Sequence, residues 1–110
     1  MMESSEQRIA ALFKSYRDDL PVRIHDLESK WEELKRGWNL PCAAEFDIAC
    51  HNIAGSAPTF DLPEIGEAAR VVERDIKALI NGEADFNSAK VNEIDVKMHA
   101  LRNSLKSSLG

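Results

Sequence analysis

Apolar residues recur at three- and four-residue spacing along the whole chain, and no segment alternates as a half-buried strand does. That pattern confines the fold to the all-α class. Punctuation residues divide it. Ser4 and Gln7 form a capping box at the start of a first helix, whose stripe is Ile9, Leu12, Phe13 and Tyr16. Pro21 removes a backbone donor and crowds the preceding turn, so it reads as a break and as an early residue of a second helix. The second stripe is Leu20, Ile24, Leu27, Trp31 and Leu34, and Gly37 is placed to end it in a left-handed cap. The link from Trp38 to Pro41 leads into a third helix with Phe46, Ala49, Cys50, Ile53, Ala57 and Phe60 on one face. Asp61 reads as the N-cap of a fourth, with Glu64 completing a capping box and Phe60 and Ile65 forming a hydrophobic staple. The fourth helix buries Ile65, Ala68, Ala69, Val72, Ile76 and Leu79, and Asn81-Gly82 ends it. Asp85 or Asn87 caps a fifth that buries Val91, Ile94, Met98, Leu101 and Leu105, with a fraying tail from Lys106 onward. The spacing predicts helices over roughly 5–19, 21–36, 42–59, 62–81 and 87–106. Short connections favour antiparallel neighbours. The expectation is an antiparallel up-and-down four-helix bundle with an additional short N-terminal helix lying across one end as a lid.

The 110 residues fit a single domain over 1–110. A hydrophobic fraction of 44% beside a charged fraction of 30% describes a soluble globular chain rather than a disordered one. The net charge of −5, with no basic stripe, argues against a nucleic-acid partner. No apolar run is long enough to span a bilayer, and the N-terminus lacks the pattern of a secretory signal, so a cytoplasmic monomer is the expectation. Cys42 and Cys50 are eight residues apart on or beside one helix. Helical rise separates them by about 12 Å, where a disulfide needs Cα atoms within about 7 Å, so both read as free thiols.

His51 stands out on the third helix. It falls roughly 150° from the centre of the buried stripe and so points to solvent. Ala44, Ile48, Gly55 and Pro58 share that outer face, which is poor in charge for an exposed helix surface. Gly55 costs about 1 kcal/mol against alanine within a helix, a cost that makes sense if the missing side chain lets a partner approach the imidazole. On spacing alone, His51 is as readily an ordinary surface histidine and Gly55 a tolerated defect. His25 and His99 also lie off their stripes, in ordinary polar surroundings. Asp47 and Asp95, each four residues before a histidine, suit simple helical charge contacts. Glu28, Lys30, Glu32, Glu33, Lys35 and Arg36 read as a solvated face.

The run from His51 through Asn52, Ile53, Ala54, Gly55, Ser56, Ala57, Pro58 and Thr59 to Phe60 resembles the signature of histidine-containing phosphotransfer (HPt) domains. That signature reads approximately His-x-Leu-Lys-Gly-Ser-Ser/Ala-x-x-Leu/Phe-Gly. Similarity is strongest from Phe46 to Glu73. Ile53 takes the leucine place, Gly55 the glycine, Ser56 the serine and Phe60 the large apolar place. Ala54 stands where many members have lysine, and Asp61 where many have glycine. The resemblance implies a four-helix bundle with an extra N-terminal helix. It implies that His51 is the phosphoacceptor, in an environment of Asp47, Ile48, Ala54, Gly55, Ser56 and Pro58. The partners it implies are a response regulator receiver domain or a hybrid histidine kinase of a two-component system, with magnesium carried by the receiver. No cofactor of the chain's own is implied, and no ATP-dependent kinase activity. Such domains often sit at the end of larger signalling proteins.

Two other readings stand beside the phosphorelay carrier. One is a non-catalytic helical docking module for a receiver domain or kinase, never phosphorylated itself. The other is a metal site built from His51, His99 and their aspartates, which the outward-facing histidines disfavour because bundle metal sites point their ligands inward.

Overall fold

The computed structural model describes residues 4–109, which are almost entirely helical. Its elements are α1 (Ser5–Arg36), α2 (Leu40–Ser56), α3 (Pro63–Ile80) and α4 (Ser88–Leu109), with one 3-10 turn over Ala57–Phe60 between α2 and α3. No strand occurs among the described residues, and no described helix is long and apolar enough to cross a membrane.

The expected break at Pro21 is absent: the two helices anticipated over 5–19 and 21–36 are one. An interior proline costs about 3 kcal/mol, largely through one lost hydrogen bond and one steric conflict. Leu20 and Ile24, on either side of it, are both fully buried and lock the same face into the core. Asp19 accepts from Arg23 across the join. Burying two large aliphatic side chains contributes about 1.5–3 kcal/mol each, enough to carry the helix through. The N-terminal segment is therefore not a lid. It continues the axis of α1, which at 32 residues is about 48 Å long, outrunning the 17, 18 and 22 residues of the other helices. With no helix beside its first turns, Ile9 and Leu12 of the expected stripe are 54% and 61% exposed. Phe13 and Tyr16 do find a partner in Phe60, edge-on at 5.2 Å and stacked at 4.2 Å between centroids.

The helix ends follow local chemistry, with three departures. The Ser4–Gln7 capping box is present, Asn39 caps α2 through the Cys42 N–H at 3.0 Å, and Asn87 accepts from the Lys90 N–H at 2.9 Å. Gly37 is extended (φ 178°) rather than left-handed. Asp61 does not cap α3; it adopts φ 61° and ψ 33° where the 3-10 turn reverses into α3, a conformation that aspartate tolerates better than most residues. The α3 N-cap is Leu62, which offers no side-chain acceptor, so the capping box with Glu64 does not form. The tail past Lys106 stays helical to Leu109, which packs against the core.

One core unites all four helices, with Leu20, Leu27 and Trp31 from α1, Phe46 and Ile53 from α2, Ile65, Val72 and Ile76 from α3, and Ile94 and Leu101 from α4. Side chains expected on a solvated face tie α1 to α4. Glu28 holds Arg102 through two hydrogen bonds, and Asp95 accepts from Trp31 Nε1 at 2.7 Å and Lys35 Nζ at 3.1 Å. Asp95 thus gives its side-chain hydrogen bonds to α1, and His99 reaches it only electrostatically. Between α2 and α3 the decisive contact is Gly66. A Cβ there would lie 2.7 and 2.8 Å from Pro58 Cδ and Cγ and 3.2 Å from the Ala54 carbonyl oxygen. The start of α3 can approach the end of α2 only because this side chain is a hydrogen.

Gly66→Ala is therefore expected to lose about 1–3 kcal/mol, the range for overpacking against a rigid neighbour. Urea unfolding measures it. Burial alone pushes the Asp95 carboxyl up, but the Trp31 and Lys35 hydrogen bonds and the nearby positive charges outweigh it and hold it below its ordinary value. A carboxyl with a lowered folded value stabilises above its unfolded value, near 3.9, and that gain fades as pH falls through the lower one. Unfolding curves from pH 7 to pH 3 should show Asp95→Asn less stable than wild type at neutral pH, with the gap narrowing in acid.

Candidate functional site

The phase of α2 is fixed by Ala43, Phe46, Cys50 and Ile53, all buried. This sets position 51 on the flank of the helix beside α3. The phase of α3 is fixed by Ile65, Ala69, Val72 and Ile76. Glu73, four residues after Ala69 and three before Ile76, falls on the same face and is 6% exposed. A buried carboxylate needs a partner, since leaving it unpaired is strongly unfavourable. It finds one across the interface: His51 Nδ1 lies 2.7 Å from Glu73 Oε2. Two further contacts continue the register. Pro58 meets Gly66 at one end, and Asp47 Oδ2 accepts from Lys77 Nζ at 3.3 Å at the other. From Gly66 to Glu73 to Lys77 is a step of seven and then four; from Pro58 to His51 to Asp47 is the same step backwards. The two helices meet in a single antiparallel register.

The chemistry of the pair assigns the imidazole tautomer. An ionised carboxylate only accepts, so a neutral imidazole facing one is protonated at Nδ1 and carries its lone pair on Nε2. The His51 side chain is 70% exposed, and Nε2 has no hydrogen-bond partner among the described residues. The ring is thus anchored on its inner nitrogen and open on its outer one. Such an arrangement presents a nucleophile in one fixed orientation, the logic by which a carboxylate orients a catalytic imidazole.

The immediate surroundings are acidic. Lys77 Nζ sits 3.8 Å from Glu73 Oε2 as well as 3.3 Å from Asp47 Oδ2. Asp47 Oδ1 is buried with no hydrogen-bond partner. Burial, then the charges of Asp47 and Glu73, push the Cys50 thiol far up, so that it stays protonated and packs as an apolar group. Both cysteines are free.

The other residues singled out in the sequence divide into four groups. Ile48 (59% exposed), Gly55 and Pro58 are exposed, and a Cβ on Gly55 would meet nothing within 4 Å. Ser56 is committed internally, donating to the Asn52 carbonyl at 2.6 Å and bonding the Tyr16 hydroxyl at 2.8 Å. Ala54 is buried, facing the core, so its methyl group offers nothing to an approaching molecule. Asp47 lies close to the site but partners Lys77 rather than His51. His25 and His99 are exposed. Glu73 and Lys77 were not anticipated. The available signal was Glu73 itself, an acidic residue inside an otherwise apolar helical stripe. No family model matches the chain, and neither does any curated protein or solved structure.

Because position 55 is helical and open, Gly55→Ala should raise stability by up to about 1 kcal/mol. Thermal unfolding tests this, with a loss of stability as the contrary result. A gain would show that the fold itself has no need of the glycine.

Proposed function

We propose that this chain is a phosphoryl carrier of the histidine-containing phosphotransfer type, passing a phosphoryl group between receiver-domain aspartates through Nε2 of His51. The observation that carries the reading is the His51–Glu73 pair: an exposed imidazole held by its inner nitrogen to a buried carboxylate, with the outer nitrogen unpartnered. The signature around His51 adds to it, as does the open helix surface at Ile48 and Gly55. We read the four helices as an antiparallel up-and-down bundle, supported by the α2–α3 register and by the α1–α4 contacts, in which Glu28 meets Arg102 and Lys35 meets Asp95.

The step needs little of the carrier. The Nε2 lone pair attacks the phosphorus of an aspartyl phosphate. The N–P bond forms as the bond from phosphorus to the carboxyl oxygen breaks, and that oxygen leaves with its electron pair as a carboxylate. The ring keeps its Nδ1 proton and gains positive charge. The hydrogen bond to Glu73, made by a neutral donor before the step, is made by a positively charged ring after it and is therefore stronger in the product than in the reactant. Phosphoryl transfer is largely positioning and charge stabilisation, and a receiver domain would bring the magnesium and its own acidic cluster. The direction of net flow belongs to the partners, and the cell compartment suited to such a relay is the cytoplasm.

A second reading, a docking module that binds a receiver domain without taking phosphate, draws weight from Ala54, which places no positive charge near the imidazole. The two separate on one assay. Phosphorylated receiver domains should label the wild-type chain, and the label should be lost in acid and kept in base, as a phosphoramidate is. His51→Gln should take none. Glu73→Gln, checked for folding, should accept label roughly ten- to hundredfold more slowly, the worth of a hydrogen bond to a charged group. Receiver binding that survives His51→Ala, with no label on the wild type under any condition, would favour the docking module.

A further inference from the structure

Lys77 is a cation of this site that is neither buried nor tightly paired. Charge-assisted N–O contacts are typically 2.7–2.9 Å long. Other lysines in the chain meet that standard: Lys97 reaches Asp75 at 2.6 Å and Lys90 reaches Glu93 at 2.9 Å. Lys77 does not. Its Nζ is 3.3 Å from Asp47 Oδ2 and 3.8 Å from Glu73 Oε2, and its side chain is half exposed. It shares the Glu73 oxygen with His51 Nδ1, so the ammonium group and the imidazole sit beside the same atom. Position 54, one turn along on His51's own helix, supplies only a methyl group turned to the core. A phosphoryl group arriving at Nε2 would bring negative charge to a place already holding Asp47 and Glu73.

From this we propose that Lys77 is the phosphoryl-binding cation of the site: when Nε2 takes the group, Nζ leaves its loose contacts with Asp47 and Glu73 and donates to the phosphoryl oxygens. The assignment rests on His51 being the phosphoacceptor. Lysine suits the task, since its ammonium group is a compact point charge on a flexible stem and can follow the group from approach to product. Lys77 belongs to α3, so the charge enters from the neighbouring helix rather than from the α2 surface that carries Ile48 and Gly55.

Potassium phosphoramidate is a suitable small donor, because it needs no docking surface; its P–N bond breaks, ammonia leaves, and the phosphoryl group passes to the imidazole. Initial labelling rates would be compared for wild type, Lys77→Gln, Lys77→Met, Lys77→Arg and Arg36→Gln, the last removing one exposed positive charge at the far end of α1. His51→Gln supplies the blank, circular dichroism checks folding, and 15N NMR follows the His51 ring nitrogens. Lys77→Gln and Lys77→Met should each slow labelling by about tenfold or more, as expected for one charge-assisted hydrogen bond made in the transition state. Lys77→Arg should retain most of the rate, Arg36→Gln should match wild type, and the ring nitrogen shifts should stay in place. Equal rates in folded wild type and Lys77→Gln would overturn the assignment. So would a slow Lys77→Gln whose ring shifts move, since Lys77 would then act only by holding Glu73. If phosphoramidate and phosphorylated receivers both leave wild-type His51 unlabelled, the carrier reading itself fails and takes this assignment with it; labelled wild type with indifferent Lys77 variants removes the assignment alone.

Discussion

The contact between Gly66 and the Pro58 ring governs the rest of the site. Two helices whose apolar faces are merely complementary can slide past one another by a turn at modest cost. A glycine pressed against a proline ring and a backbone carbonyl cannot slide without a clash or a void. Once Gly66 is seated on Pro58, the antiparallel geometry brings Glu73 opposite His51 and Lys77 opposite Asp47. The hydrogen bond at the imidazole follows from a steric fit two helical turns away.

The same fit resolves an apparent conflict of energies. Placing the Glu73 carboxylate at a nearly dry helix interface is unfavourable by several kcal/mol if it is left alone. A short hydrogen bond from an imidazole, with a lysine nearby, offsets that cost, while the imidazole itself remains mostly in water. The outcome is asymmetric. The inner nitrogen is held by a nearly buried carboxylate, and the outer nitrogen meets solvent. An ordinary surface histidine has neither constraint. The distinction between a surface histidine and a poised one, which spacing along a single helix leaves open, turns on what the neighbouring helix brings.

The sequence revealed most where a fact is local to one helix. The stripes of α2, α3 and α4 were legible, as were the Ser4 cap, the exposure of His51 and the absence of a bridge between Cys42 and Cys50. It revealed least where two local rules compete or where a contact is long-range. Pro21 is a helix breaker by its own chemistry, yet Leu20 and Ile24 bury on both sides of it and the helix runs on. Asp61 suits an N-cap and a left-handed turn equally well, and the reversal from the 3-10 turn into α3 selects the turn. Ile9 and Leu12 have helical spacing, but nothing in spacing tells whether a neighbour is long enough to cover them. The partner of His51 lay furthest from view, because it depends on the register between α2 and α3, and no periodicity within either helix encodes that register.

The central claim is that the imidazole is held by Nδ1 and reacts at Nε2. Two-dimensional 1H–15N spectroscopy of the 15N-histidine-labelled chain, with phosphorus coupling recorded after phosphorylation, tests it most directly. The account predicts a His51 ring protonated at Nδ1 before the reaction, and a single phosphoryl group coupled to Nε2 of that ring afterwards. A phosphorus atom coupled to Nδ1, or carried by His25 or His99 in place of His51, would contradict it.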